Sequence, residues 1–342
     1  MYKAKKTKQM RNLVIIGNGF DLAHNLKTRY TDFISDLRIN PGKYATNNSE
    51  LDDNKLMNAL IENKKELWSD IEHTYYKILK NFNKKQYLQK NFGDVYKYED
   101  IKELNQDFEK IKIWLNKYLE DEESKFEFNE NYETFFNSLS NKESVVINFN
   151  YTKTVKEYIE RNCLNIEIIQ IHGELNNPSN PIIFGFAASN EESKELLNEN
   201  DNNYVRNIKK FNYLFTNNEN ILKKHLESLE FNLFILGHSC GVSDKLILSQ
   251  IFNSKGVFKI YPFYFKDRLG YFETMVNIDR IIDDYSKSDL NKASLKKLVS
   301  FPDAYPMPQT DLEVNFRDYL DRILKIRLPY ENQTEALKSL VQ

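Results

Sequence analysis

The sequence contains little cysteine, and its two cysteines, Cys163 and Cys240, lie far apart. This excludes a disulfide framework and a C-x-x-C zinc pair, and it fits a reducing compartment. The apolar run after the basic segment 1–10 ends at Gly17, which is too short for a signal peptide or a membrane span. We therefore predict a cytoplasmic protein without a membrane partner.

Excess charge of one sign is also lacking, because the formal net charge is −2. The chain thus has no overall basic excess of the kind that binds nucleic acid. It has no carboxylate cluster at metal-ligand spacing, so we expect no bound metal, and a nuclease or RNA-binding toxin has little support. Apolar residues make up 41% of the 342 residues, which is enough for one large packed domain or a core domain with an insertion.

Glycine is scarce, yet two of the ten glycines stand one residue apart at the end of an apolar run. The run predicts a buried strand over 12–16, and Gly17-Asn18-Gly19 predicts the turn into a short helix that starts near Asp21. Gly17 allows a tight turn, and Gly19 allows backbone N–H groups to approach a pyrophosphate. The full G-x-G-x-x-G is absent because Leu22 occupies its last position. The same glycines also fit a turn in which they serve the backbone alone.

A long helical block separates this first strand from the later strand patterns. Residues 38–49 predict a loop, because they contain a Pro-Gly pair and several asparagines. Apolar residues then recur at helical spacing over 60–79 and 101–119. His73 in this block fits a core or surface position better than a catalytic one. We predict two units, a Rossmann-like core over 1–38 and 141–342 and a helical insertion over 39–140.

Strand and helix patterns alternate after residue 140. Helical patterns separate most of these strands and also form the tail, where Thr310 and Glu313 predict a capping box. The order predicts an α/β fold, with a Rossmann-like, mostly parallel sheet that carries helices on both faces. The predicted strands are 144–149, 166–171, 181–185, 233–237 and 257–261.

Polar or glycine residues follow nearly every predicted strand. In parallel sheets, ligands bind beyond the carboxyl ends of the strands. We therefore expect five loops to converge on one rim, and this convergence is the strongest functional signal in the sequence. The loops are Gly17–Gly19, Asn148–Thr152, His172-Gly173, Gly185 and Gly237–Ser239.

The motifs on this rim resemble the AbiH family of bacterial abortive-infection proteins, which protect against bacteriophage. The segments Ile16–Leu22 and Leu236–Ser239, followed by Ser243-Asp244-Lys245, look like hallmarks of that family, and the resemblance covers nearly the whole chain. A more distant resemblance is to SIR2-like domains. Those domains bind NAD at an N-terminal G-x-G loop, and their antiphage members cleave NAD.

The SIR2-like resemblance implies roles for individual residues. Asn150 matches the catalytic Asn and His172 the catalytic His, while Asp21 is a candidate for a carboxylate that is missing at Thr152. The zinc cysteines of the deacylases are absent, which argues against deacylation. The candidate residues for binding NAD are Gly17, Asn18, Gly19, Phe20, Thr152, Gly173, Gly237, His238, Ser239 and Asp244.

Structural roles compete with these functional ones. His172 also fits a residue that ends a strand by bonding backbone, and Asn150 fits an Asx turn or a helix N-cap. Asp244 fits a capping residue in the first turn of a helix. We expect His238 to be exposed on the rim, and Cys240 fits a buried filler better than a nucleophile.

The resemblance implies an antiphage effector that binds NAD, or a related dinucleotide, as its substrate and hydrolyses it. Cleavage of the nicotinamide–ribose bond develops positive charge on the sugar. Asn150 would orient a water or a ribose hydroxyl, and His172 would accept a proton. The alternative is a module that binds a nucleotide or an ADP-ribose-like signal without turnover, which Thr152 and the incomplete glycine motif favour. A phage-derived trigger is expected, and the sequence leaves open whether the chain forms a homo-oligomer.

Overall fold

A single sheet of parallel strands organises the protein. The computed structural model describes residues 11–45, 48–62, 68–84, 90–91, 98–140, 143–228, 230–284, 297–307, 318–320 and 323. The strands in these ranges are β1 (Arg11–Ile16), β2 (Ser144–Asn148), β3 (Glu167–Gln170), β4 (Phe231–Leu236), β5 (Val257–Tyr264) and β6 (Tyr305–Pro306). Every pair of neighbours is parallel, and their order is β3-β2-β1-β4-β5-β6. This is the strand order of a doubly wound fold, so the predicted Rossmann-like α/β fold is confirmed.

Helices fill the connections between the strands. Between β1 and β2 lie α1 (Asn18–Ala23), α2 (Tyr30–Ile39), α3 (Pro41–Tyr44), α4 (Asn48–Asp52), α5 (Lys55–Glu62), α6 (Trp68–Lys80), α7 (Ile101–Glu123) and α8 (Glu130–Leu139). The later helices are α9 (Thr154–Arg161), α10 (Asn190–Leu197), α11 (Lys209–Asn212), α12 (Asn218–Ser228), α13 (Lys245–Phe252) and α14 (Arg268–Asp284). Short 3-10 turns lie at Asn202–Tyr204, Tyr213–Phe215, Val242–Asp244 and Phe301–Asp303.

Strand β1 is apolar from Leu13 to Ile16 because helices cover both faces of the sheet. Leu13 and Ile15 pack with apolar side chains of α12, α13 and α14. Val14 and Ile16 point to the other face and pack with side chains of α8 and α9. A strand buried on both faces needs a continuous apolar run rather than an alternating one. The predicted helical cover of both faces is therefore confirmed.

A third apolar cluster lies away from the sheet. It contains side chains of α2 to α7, including the fully buried Trp114, together with apolar residues between 175 and 208. The helical patterns over 60–79 and 101–119 correspond to α5, α6 and α7, apart from 63–67, which lie outside the described residues. The division of the chain into a core and an insertion at 39–140 stays a prediction. Among the described helices, none is long and apolar enough to cross a bilayer.

Two local predictions were wrong. The predicted loop at 38–49 contains α3, where Pro41 stands at the start of the helix and needs no N–H partner. The predicted strand at 181–185 is not among the six strands of the sheet. The N–H of Ile183 donates to the His172 carbonyl at 2.7 Å, and the N–H of Gly185 donates to Glu72 Oε1 at 3.1 Å. The capping box at Thr310 and Glu313 lies outside the described residues.

Candidate functional site

A cavity of about 800 Å³ opens at the carboxyl ends of the parallel strands. Strand β1 has β2 on one side and β4 on the other, so the chain order reverses at β1. Loops that follow neighbouring strands diverge at such a switch point and leave a crevice for ligands. The cavity wall combines the loops after β1, β2, β3 and β4 with side chains of α6 and of residues 184–187. Its volume lies in the usual range of cofactor and small-molecule sites.

Most of the candidate site residues line this one cavity. The structure does not bring Phe20 or Gly173 to it. The ring of Phe20 is fully buried, with Tyr132 and His24 at 4.9 and 4.5 Å between ring centroids. Gly173 has a φ of 82° and makes a tight turn, in which a Cβ would lie 2.1 Å from the Pro181 carbonyl oxygen. The candidates that line the cavity are Gly17, Asn18, Gly19, Asp21, Asn150, Thr152, His172, Gly237, His238, Ser239 and Asp244.

The two glycines after β1 allow the loop after β4 to approach closely. A Cβ on Gly17 would lie 2.6 Å from His238 Cα, and a Cβ on Gly19 would lie 2.7 Å from Gly237 Cα. The N–H of Gly19 donates to the Gly237 carbonyl at 2.7 Å. The Gly19 N–H is thus already used within the protein, and the expectation that N–H groups of this turn hold a pyrophosphate stays a prediction.

Asn150 is held rigidly over the first turn. Its Nδ2 donates to the Gly17 carbonyl at 3.1 Å, and its backbone N–H donates to Asn148 Oδ1 at 3.1 Å. The Asx turn therefore belongs to Asn148, and α9 begins only at Thr154, with Lys153 as its N-cap. Neither structural alternative accounts for the Asn150 side chain. With Nδ2 fixed, Oδ1 is the amide atom that is left to accept a hydrogen bond from a ligand.

Asp21 is a buried carboxylate held by hydroxyl groups. Thr152 and Thr154 each donate an O–H to it at 2.7 Å. Burial raises the pKa of Asp21 to about 6, although the hydroxyl donors partly oppose this shift. Asp21 is therefore close to its titration point under physiological conditions. Thr152, which stands where the SIR2-like pattern has a carboxylate, thus donates a hydrogen bond to the candidate carboxylate Asp21.

His172 uses one ring nitrogen for the backbone and keeps the other for the cavity. Its Nδ1 lies 3.1 Å from the Phe149 carbonyl, which can only accept, so Nδ1 carries the proton. Its Nε2 has no hydrogen-bond donor among the described residues and faces Asp244 Oδ1 at 3.3 Å. Burial lowers the pKa of His172 to about 4, so the ring is neutral at pH 7. His172 Nε2 and Asp244 Oδ1 are thus both hydrogen-bond acceptors. A ligand hydroxyl or a water can therefore donate its proton to them.

Asp244 joins two histidines and a lysine. His238 Nε2 lies 3.6 Å from Asp244 Oδ2, while His238 Nδ1 accepts the N–H of Cys240 at 2.9 Å. The expectation of an exposed His238 is wrong, because the ring is buried against Phe149. The Asp244 carboxylate makes no capping hydrogen bond to α13. Burial acts to raise the pKa of Asp244, but Lys209 and the two histidines outweigh it and lower the pKa to about 2.

Sequence reasoning missed two charged residues in this cavity, Lys209 and Glu72. Lys209 Nζ lies 3.1 Å from Glu72 Oε2 and 3.3 Å from Asp244 Oδ1. Neither residue follows a strand, so the rule that finds strand-end loops does not reach them. Glu72 did carry a signal, because it stands in the apolar stripe of α6 beside Ile71 and three residues before Tyr75. Lys209 carried none.

Together, the strand order and the charged cavity at the switch point define a Rossmann-like α/β protein with a candidate ligand site at the carboxyl edge of its sheet. The chain belongs to the AbiH family, because the family model described as "Bacteriophage abortive infection AbiH" matches residues 13–264. This membership indicates a role in bacteriophage abortive infection. No curated protein matches the chain. Within the described ranges, no three His, Cys, Asp or Glu side chains are placed to hold a metal ion.

Proposed function

We propose that this protein binds NAD, or a related dinucleotide, in the cavity and hydrolyses the bond between nicotinamide and ribose. One observation carries the proposal. Asn150 and His172, predicted as the catalytic pair, line the same cavity beside the Gly17–Gly19 turn, and His172 keeps an unpartnered Nε2 among the described residues. Loss of this dinucleotide in an infected cell would stop phage replication together with the metabolism of the host.

The charges around the cavity suit a reaction that develops positive charge. Two buried carboxylates, those of Asp21 and Glu72, and the partly buried carboxylate of Asp244 line it, and Lys209 is the one lysine or arginine among the described lining residues. Fixed negative groups in a site with little water stabilise an oxocarbenium-like sugar more strongly than bulk water does. The same charges disfavour ligands with many phosphates. NAD has a cationic nicotinamide ring beside its pyrophosphate, and the ring leaves as a neutral molecule.

The proton has a defined route in this proposal. The Oδ1 atom of Asn150 accepts a hydrogen bond from the attacking water or from a ribose hydroxyl. The water oxygen bonds to the ribose carbon as nicotinamide leaves. At the same time, a proton of this water passes to His172 Nε2. The imidazolium that forms is stabilised by Asp244 Oδ1, which lies 3.3 Å from Nε2. A neutral histidine before the reaction is therefore a requirement, and burial of the ring meets it.

Nicotinamide release from NAD by the purified protein tests this function. The test compares wild type with His172→Ala and Asn150→Ala, with and without lysate from phage-infected cells as a source of the trigger. We expect each substitution to lower the release rate by about 100-fold or more. The matched control is His225→Ala, since His225 pairs with Glu167 outside the cavity at 3.0 Å. Absence of release in every condition, with full phage protection by His172→Ala, would contradict the proposal.

A second candidate function is binding of a nucleotide signal without turnover. Glu72 favours this function. Its carboxylate lines the cavity, while the apolar side chains of its helix, α6, pack in the cluster away from the sheet. A ligand that displaced Lys209 from Glu72 would thus change a contact of the helical region. Calorimetry with NAD and ADP-ribose, followed by product analysis, separates the two functions. Tight binding of intact NAD would favour the signal module.

A further inference from the structure

Lys209 is a buried cation fixed between two carboxylates at the cavity wall. Only 4% of its side chain is exposed, and its Nζ lies 3.1 Å from Glu72 Oε2 and 3.3 Å from Asp244 Oδ1. It also donates to the Ser243 carbonyl at 3.3 Å. Burial alone would lower the pKa of Lys209, but the two carboxylates raise it, so the lysine stays charged. A buried charge is stable only with such partners.

Lys209 and His172 share one oxygen atom. Asp244 Oδ1 lies 3.3 Å from Lys209 Nζ and 3.3 Å from His172 Nε2. Lys209 therefore fixes the orientation of Asp244 Oδ1. It also offsets the negative charge of Asp244 that acts on His172. Glu72 holds the lysine from the other side, and its second oxygen is fixed by the N–H of Gly185 at 3.1 Å. The chain of contacts thus runs from α6 to the imidazole ring.

We propose that Lys209, held by Glu72, is a positioning residue that fixes Asp244 Oδ1 against His172 Nε2 and opposes protonation of this ring in the free protein. The catalytic consequence rests on the proposed function. The effect on His172 does not rest on it, because it is a property of the free protein.

The surroundings of His172 give the direction of the expected change. The charged or titratable groups around the ring are Asp244, Lys209 and His238, while the rings of Tyr151 and Tyr213 lie at 6.1 and 6.2 Å between centroids. Burial is the largest influence that lowers the pKa of His172, Asp244 opposes it, and Lys209 adds to it. Without Lys209, its charge no longer repels the protonated ring of His172 and no longer offsets the negative charge of Asp244. Protonation of His172 then becomes easier.

Histidine titration by NMR in the full-length protein labelled with ¹⁵N-histidine tests the proposal. We expect Lys209→Met to raise the pKa of His172 by about one unit or more. The matched control is Lys210→Met, the neighbouring lysine that lies over the ring of Phe211 and does not line the cavity. It should leave His172 unchanged. An unchanged or lowered pKa of His172 in folded Lys209→Met would overturn the proposal.

Two further variants keep the test decisive if Lys209→Met folds poorly. Lys209→Arg keeps the cation, so His172 should titrate as in wild type. The double variant Glu72→Gln/Lys209→Met removes the carboxylate that the single variant leaves unpaired, and it should fold while still showing the raised pKa. A double variant that folds and titrates as wild type does would contradict the proposal.

Nicotinamide release adds an activity measurement. Lys209→Met should lower kcat by about tenfold or more with a smaller change in KM, because Asp244 Oδ1 would no longer be held in place to stabilise the imidazolium that forms on His172. Since His172 must be neutral to react, the acid limb of the pH profile should move to higher pH by the shift that NMR measures. Lys209→Arg should restore both. If wild type releases no nicotinamide, the proposed function fails, while the titration still decides the role of Lys209.

Discussion

Asp21 is buried and Asp244 is partly buried, and both carboxylates line the same cavity, yet their surroundings shift their pKa values in opposite directions. Asp21 receives two threonine hydroxyls, and burial raises its pKa to about 6. Asp244 lies among Lys209, His172 and His238, which overcome burial and lower its pKa to about 2. Neutral donors thus fail to offset the loss of water around Asp21, whereas a cation succeeds at Asp244.

The comparison separates two kinds of role. A carboxylate that titrates near neutral pH can exchange a proton with a ligand, whereas one that stays ionised can only hold charge. Asp21 is therefore the candidate for proton exchange beside Asn150, and in the proposed reaction Asp244 would be the counter-charge for the imidazolium that forms on His172. A pair of groups whose environments push their pKa values apart is a common property of sites that perform acid–base chemistry.

Asp244→Asn should break this comparison with the largest effect on stability. The substitution leaves the buried cation of Lys209 with Glu72 as its one remaining carboxylate partner among the described residues. We expect the free energy of unfolding to fall by about 3 kcal/mol at neutral pH, as for other buried pairs that lose one partner. Urea denaturation measures it, with Asp53→Asn, an exposed site, as the control.

The result that would contradict this prediction is a loss of stability no larger than that of the exposed control. The Lys209–Glu72 pair would then be sufficient to hold the lysine, and Asp244 would contribute charge without contributing stability. Because Asn keeps the shape of the side chain, packing differences should not obscure the outcome.

The sequence predicted the functional side chains that follow strands and missed those that lie on helices. The continuous apolar runs fixed most strands, and loops at strand ends necessarily meet at one edge of a parallel sheet. Asn150 and His172 could therefore be placed in one cavity without coordinates. Lys209 and Glu72 could not, because their meeting depends on how α6 and residues 184–209 pack against the sheet.

Contacts with distant parts of the chain also limited what the sequence could predict for individual residues. Gly19 was predicted to offer an N–H to an anion, but its N–H donates to the carbonyl of Gly237, which lies in the loop after β4, more than 200 residues later. Phe20 follows directly and turns its ring into the core, since consecutive residues of a helix such as α1 point about 100° apart. The strand at 181–185 was predicted from an apolar run that is buried by the helical region instead.

Asp21→Asn should sharpen the comparison through its pH dependence. The folded pKa of Asp21, about 6, lies above the ordinary value of 3.8, so the folded state binds the proton more tightly. The stability that this proton contributes is present below about pH 4 and is lost as the pH rises through about 6. Two pKa units correspond to about 3 kcal/mol. Asn does not titrate, so the variant should gain on wild type by this amount across that range.

The difference between variant and wild type is the quantity to measure, because the buried histidines titrate over the same range. Their lowered pKa values make wild type lose stability as the pH falls, which opposes the effect of Asp21. Urea denaturation of both proteins at about pH 4.5 and about pH 8 removes this shared contribution. A difference that does not change with pH would show that Asp21 titrates normally.

Thr152→Val is the mildest of the three changes and tests what hydroxyl donors contribute. The substitution keeps the shape of the side chain but removes one of the two O–H donors to Asp21, so the pKa of Asp21 should rise further. Stability at neutral pH should fall by about 1 kcal/mol, the usual size of one buried hydrogen bond. NMR of the labelled aspartate carboxyl follows the titration, and Thr152→Ser, which keeps the hydroxyl, is the matched control. If Val and Ser variants titrate alike, Thr154 and Asn150 hold the carboxylate without Thr152, and the hydroxyl of Thr152 is left to a ligand.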